Sequence, residues 1–195
     1  MEKLRPGLTT VYSGQNPVVD IVAVHSPNRN SIQSFTSTAT GKFWLGDEDM
    51  LPRDIPNCRV LVYNHGGSGS IMGAATELVE SLVHNRRSES STERPIMFIC
   101  HSVGGIIAKQ AIIHSKSCEN KTLEAAYSIY VSTYSLLFVG MPDSQLLNSG
   151  ILRDVEDAFE PMMERFRTSS LWEISIPVKD CDMEDFVPVR NSRIG

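Results

Sequence analysis

Residues 96–107 read Ile-Met-Phe-Ile-Cys-His-Ser-Val-Gly-Gly-Ile-Ile, an apolar run that passes through Ser102 into a glycine pair and a second apolar run. A strand turning straight into a helix through a Ser, with Gly two residues on, is the arrangement that presents a serine hydroxyl as a nucleophile; its usual spelling is G-x-S-x-G. The demand is steric. The Ser occupies a tight, strained turn, so the residues two places to either side must be small where strand and helix approach. Gly104 meets that demand, and Cys100 fills the other place with a small side chain. The helix that follows would aim the Val103 N–H at the site, where it can hold an oxyanion. A Ser in this place also caps helices. The strand before it, the Gly104-Gly105 pair and the apolar helix after it favour the tight turn.

The elements that must position this turn can be read from apolar periodicity. Residues 18–24, 59–63, 96–99 and 136–139 are nearly continuous apolar runs, as expected of strands buried on both faces, and residues 172–176 alternate more weakly. Between the second and third runs, Ile71, Ala75, Leu78 and Leu82 recur at helical spacing and predict an amphipathic helix of about four turns. The polar residues 86–94 then read as a surface loop. Residues 105–113 are apolar almost all round and predict a buried helix. Residues 151–167 carry a helical period that Pro161 should kink or split. Strands alternating with helices predict an α/β protein with a mostly parallel sheet.

Composition narrows the function classes. The chain has 195 residues, 41% hydrophobic and 21% charged, which suits one ordinary globular domain. Eighteen Lys and Arg against 23 Asp and Glu give a net charge of −5, so no nucleic-acid partner is expected. No apolar run approaches the ~20 residues of a membrane helix, and the N-terminus lacks the apolar core of a secretory signal. A cytoplasmic location is the expectation, with attachment to an organelle surface as the variant. Cys58, Cys100, Cys118 and Cys181 form no C-x-x-C pair, so reduced thiols without a metal are expected.

The strings Val19-Asp20-Ile21-Val22-Ala23-Val24-His25, Leu51-Pro52-Arg53-Asp54-Ile55-Pro56-Asn57-Cys58-Arg59-Val60-Leu61-Val62-Tyr63 and Phe98-Ile99-Cys100-His101-Ser102-Val103-Gly104-Gly105-Ile106 resemble a lipase-like α/β-hydrolase domain. The similarity is to serine-active-site-containing proteins and to the hydrolase-like domains preceding NACHT modules in fungal receptor-like proteins. It covers roughly residues 18–142, with a weaker continuation. The resemblance implies an α/β-hydrolase fold over residues 18–195, after an N-terminal extension of residues 1–17, with C-terminal elements missing. It implies a Ser–His–acid hydrolase of an ester, lipid esters included, without a cofactor. Ser102 matches the nucleophile. His25-Ser26 stands where the family has His-Gly, so the Ser26 N–H would complete an oxyanion hole with Val103, although a Cβ is added there. Gly140-Met141-Pro142-Asp143 matches the family's Gly-Thr-Pro-His turn only at Gly140 and Pro142. Asp185, in Asp185-Phe186-Val187-Pro188, matches the segment carrying the acid, with Asp180, Asp182 and Glu184 as rivals.

The general base is harder to find. In this fold the order is Ser, acid, His, yet the only His after Ser102 is His114. At ~1.5 Å per helical residue it would lie about 18 Å away. His101 adjoins Ser102 but should point away from its hydroxyl, into the junction between sheet and helix. His25, at the end of a neighbouring strand, could line the pocket or act as a surrogate base. His65-Gly66-Gly67-Ser68-Gly69 mimics an esterase oxyanion loop but follows the wrong strand; a turn opening the helix from Ser70 explains it better.

Three readings follow. The first is a serine esterase or lipase acting on a small-molecule or lipid ester or thioester through an acyl-Ser102 intermediate. The second is a catalytically impaired hydrolase-like module for binding or signalling, favoured by the missing His and the altered turns. The third is a fragment of an ordinary hydrolase. An open sheet edge would also invite pairing with a second copy of the chain.

Overall fold

The apolar runs assemble into one seven-stranded sheet in the computed structural model, which describes residues 6–26, 30–65, 70–119, 124–141, 150–173 and 186–189. In chain order the elements are β1 (Gly7–Ser13), β2 (Val19–Val24), α1 (Leu51–Asp54), β3 (Cys58–Asn64), α2 (Ile71–Ser88), β4 (Ile96–His101), α3 (Gly104–Ser117), α4 (Glu124–Ser132), β5 (Thr133–Val139), α5 (Gly150–Phe159), β6 (Arg167–Glu173) and β7 (Phe186–Val189). The spatial order is β1-β3-β2-β4-β5-β6-β7. Strands β3, β2, β4, β5 and β6 run parallel, while β1 and β7 pair antiparallel at the two edges.

The central strands are continuously apolar because both faces are covered. Val22, Val24, Leu61, Tyr63, Phe98 and Cys100 pack under α2 and α3. On the other face Ile21, Ala23, Val60, Val62 and Ile99 pack with Phe35 and Leu45. Ser70 caps α2 by accepting from the Gly73 N–H at 3.0 Å, and Ala75, Leu78 and Leu82 lie on its buried stripe, as their spacing requires.

Several expectations are corrected. Residues 1–17 are not merely an extension, because Gly7–Ser13 forms an edge strand of the sheet. Helix α2 runs on to Ser88, so the supposed surface loop of residues 86–94 begins inside a helix, with Arg86 only 1% exposed. Arg86 belongs to a buried ion cluster around Asp20, which is 0% exposed. Arg59 grips Asp20 with two bonds of 2.9 Å, and Arg86 and Arg94 approach it at 2.7 and 2.8 Å. The cluster ties the start of β2 to β3, to the end of α2 and to the connection entering β4. Helix α4 was not anticipated. The period over residues 151–167 divides into α5 and a 3₁₀ turn, Glu160–Arg165, where Pro161 supplies no N–H to continue the α-helix. Strand β6 begins at Arg167, earlier than the alternation at 172–176 suggested. Among the described residues, no helix is long and apolar enough to cross a membrane.

Candidate functional site

Strand β4 ends at His101, and Ser102 follows with φ +53°, in the left-handed region. A single L-residue there costs about 1–2 kcal/mol, so the surrounding structure must hold it. It does so from two sides. The Ser102 N–H donates to the Val139 carbonyl at the end of β5, at 2.9 Å, and the Ser102 carbonyl accepts from the Gly105 N–H at 3.0 Å. The backbone enters α3 at once, with Val103 already helical. Among the described residues the N–H groups of Val103 and Gly104 make no backbone hydrogen bond, as expected for the first donors of a helix.

The glycines are there because strand and helix nearly touch. A Cβ on Gly104 would lie 2.2 Å from the Val24 carbonyl oxygen, and one on Gly105 would lie 2.0 Å from Met141 Sδ. Cys100 is fully buried beneath α3, and burial pushes its thiol far above the ordinary range, so it stays protonated. Gly140, after β5, takes φ +56° and donates to the Leu171 carbonyl at 3.0 Å.

Strand β2 lies between β3 and β4, so its end stands beside the Ser102 turn. His25 follows it, 3% exposed. Its Nδ1–H donates to the Ser26 carbonyl at 2.7 Å, and its ring meets that of His65 edge-on at 4.7 Å. Burial, then the neighbouring His65, lowers the His25 pKa to about 4. Ser26 is half-buried and is not among the residues with positive φ, so its Cβ imposes no strain. Its N–H makes no backbone hydrogen bond among the described residues. The expected pair, Ser26 and Val103, thus follows the neighbouring strands β2 and β4, and neither N–H makes a backbone hydrogen bond among the described residues.

His101 and His114 take other places, although His101 remains near enough to His25 to help lower its pKa. His101 packs edge-on against Phe35, ring centroids 6.3 Å apart, on the sheet face away from α3 rather than in the junction with it. Strand alternation explains this: Cys100 faces α3, so His101 must face the other way. His114 lies near the far end of α3 and lines a separate cavity of about 440 Å³ with His84, Glu80 and Cys118. Asp185, its rivals Asp180, Asp182 and Glu184, and residues Pro142 and Asp143 lie outside the described residues.

The sequence alone assigns His65 to a turn that opens α2. In the fold its Nε2–H donates to the His25 carbonyl at 2.8 Å, and its ring meets Tyr63 at 4.9 Å. The available signal was its place just past the end of a parallel strand adjacent to β2.

A mostly parallel sheet of this order, flanked by helices, with a left-handed Ser between β4 and α3, is an α/β-hydrolase fold. The chain superposes on the mature form of the Bacillus licheniformis lipase BlEst2 with TM-score 0.56 at 14% identity, covering 85% of this chain and 71% of that one. Against the propeptide form of the same lipase the TM-score is 0.57 at 16% identity, covering 85% and 39%. No family profile and no curated protein matches the sequence.

Proposed function

We propose that this chain is a serine hydrolase of the esterase or lipase type, cleaving a carboxylic ester or thioester. The observation that carries the reading is the left-handed Ser102 at the β4–α3 turn, φ +53°, beside the Val103 and Ser26 N–H groups, which make no backbone hydrogen bond among the described residues. Backbone strain is retained where surrounding structure enforces it, and such positions concentrate at reactive sites. In the reaction Ser102 Oγ attacks the acyl carbon while the two N–H groups hold the oxyanion. The tetrahedral intermediate collapses to acyl-Ser102, and the departing alcohol or thiol takes the proton that left Ser102 Oγ on attack. Water then releases the acid by the same route in reverse. In this reading Asp185 is the candidate acid, and among the described residues the candidate for the base is His25. The likeness to a lipase fold supports an ester substrate, including one with a lipid acyl chain.

The hydrolase-like binding or signalling module is the second reading, and His25 favours it. A general base works best with a pKa near the operating pH, whereas His25 is held down at about 4 by burial and then by His65. It is a poor surrogate base, and its part is to shape the pocket.

Labelling with a fluorophosphonate probe, wild type against Ser102→Ala, separates the two readings without the true substrate. Labelling of the wild type that vanishes in the variant supports the hydrolase. Folded wild-type protein that takes no label leaves the module.

A further inference from the structure

We propose that His65 is a positioning residue that sets the direction of the Ser26 N–H, the second donor of the oxyanion site. The inference rests on reading Ser102 as the nucleophile.

Successive carbonyls along an extended strand point to opposite sides. At the end of β2 the two sides are marked by contacts. The Val24 carbonyl faces the Ser102 turn, since a Cβ on Gly104 would meet it at 2.2 Å. The next carbonyl, that of His25, is held from the β3 side by His65 Nε2–H at 2.8 Å. No peptide bond among the described residues is cis. In a trans peptide the N–H points opposite to the preceding carbonyl. With the His25 carbonyl drawn toward β3, the Ser26 N–H is directed toward β4, where Ser102, Val103 and Gly104 stand.

This peptide lies beyond the sheet ladder, whose last β2 partner on either side is Val24. Rotated the other way, it would turn a carbonyl oxygen toward the forming oxyanion and repel it. The His65 hydrogen bond selects the productive orientation. The His65 ring is itself held edge-on by Tyr63 at 4.9 Å and His25 at 4.7 Å. His25 Nδ1–H then fixes the following carbonyl, that of Ser26, at 2.7 Å. Each imidazole therefore secures one peptide of the loop, and neither has to exchange a proton during the reaction.

The test measures the fluorophosphonate labelling rate and its pH profile in wild type, His65→Gln, His65→Phe and Ser102→Ala, with thermal unfolding of each. Removing one oxyanion donor outright costs about 10²–10³ in rate. A donor that is merely misdirected should cost about tenfold to a hundredfold, so His65→Phe should label that much more slowly at an unchanged unfolding temperature and with a pH profile of unchanged shape. His65→Gln, which retains an N–H donor, should stay within a few fold of wild type. Equal rates for His65→Phe and wild type would overturn the inference and leave the hydrolase reading standing. A changed pH-profile shape would also overturn it, by making His65 a proton carrier. No labelling of folded wild type overturns both. Should His65→Phe fail to fold, His65→Asn, whose amide falls short of the His25 carbonyl, must show the slowing in folded protein; a wild-type rate there overturns the inference.

Discussion

A Cβ on Gly104 would stand 2.2 Å from the carbonyl oxygen of Val24 and 2.7 Å from its carbonyl carbon. Both atoms belong to the backbone of a central strand, so neither can move aside. Gly104→Ala must therefore displace the β4–α3 turn. Overpacking of this kind usually costs about 1–3 kcal/mol, and a backbone clash belongs at the upper end. The expected result is a loss of about 3 kcal/mol in urea unfolding together with loss of Ser102 labelling. Gly105→Ala meets Met141 Sδ at 2.0 Å, near the end of a flexible side chain. It should cost about 1 kcal/mol and leave labelling measurable.

The left-handed backbone of Ser102, φ +53°, makes a second comparison informative. Ser102→Ala keeps the Cβ and its strain; Ser102→Gly removes both. The folded state gains about 1–2 kcal/mol from that relief, while Gly forfeits about 0.5–1 kcal/mol in unfolded-chain entropy. Ser102→Gly should unfold at higher urea than Ser102→Ala, by about 1 kcal/mol. Equal midpoints would mean that the turn is not strained in solution.

Asp20 accepts from three guanidinium groups, those of Arg59, Arg86 and Arg94, at 2.7–2.9 Å. Removing one partner of a buried ion pair costs about 3–5 kcal/mol, because the remaining charges stay buried without compensation. Asp20→Asn should destabilise by that amount. Asp20 lies near the start of β2, at the end of that strand remote from Ser102, so the folded fraction should still label. Loss of labelling in folded Asp20→Asn would connect the cluster to the site.

His25 predicts an acid limb. Its pKa is about 4 in the fold against an ordinary 6.5, lowered by burial and then by His65. Between those values the unfolded chain binds more protons, so stability is full above about pH 6.5, falls as pH drops toward 4 and levels below it. Two to three pKa steps correspond to about 3 kcal/mol. Urea midpoints measured from pH 7 to pH 4 should fall less in His25→Asn, which does not titrate. An identical fall would place the acid sensitivity elsewhere.

The parallel strands and the two long helices were legible because continuous apolar runs and helical periods each imply one kind of burial. The edges of the sheet were not. Strand β1 has one strand neighbour and a mixed, partly exposed pattern, so it gives no continuous run to read. Residues 86–94 looked like a surface loop because Arg and Glu usually are solvated. Arg86 is buried only because Asp20, 66 positions earlier, waits for it. Of the candidate site, Ser102 and its Gly104 could be recognised from a short string, since their constraint is local. Asp185 falls outside the described residues.

By itself the sequence determined that a Ser would sit at the junction of a buried strand and a buried helix, because small residues and apolar periodicity act over a few neighbouring positions. Only the tertiary structure decided which strand ends lie beside that Ser. It placed His25-Ser26 next to the turn and His65 across from it. It also sent His101 to the opposite face of the sheet. These relations depend on the spatial order of strands, β3-β2-β4-β5. That order follows from packing two apolar faces at once, a condition no local run of residues can express.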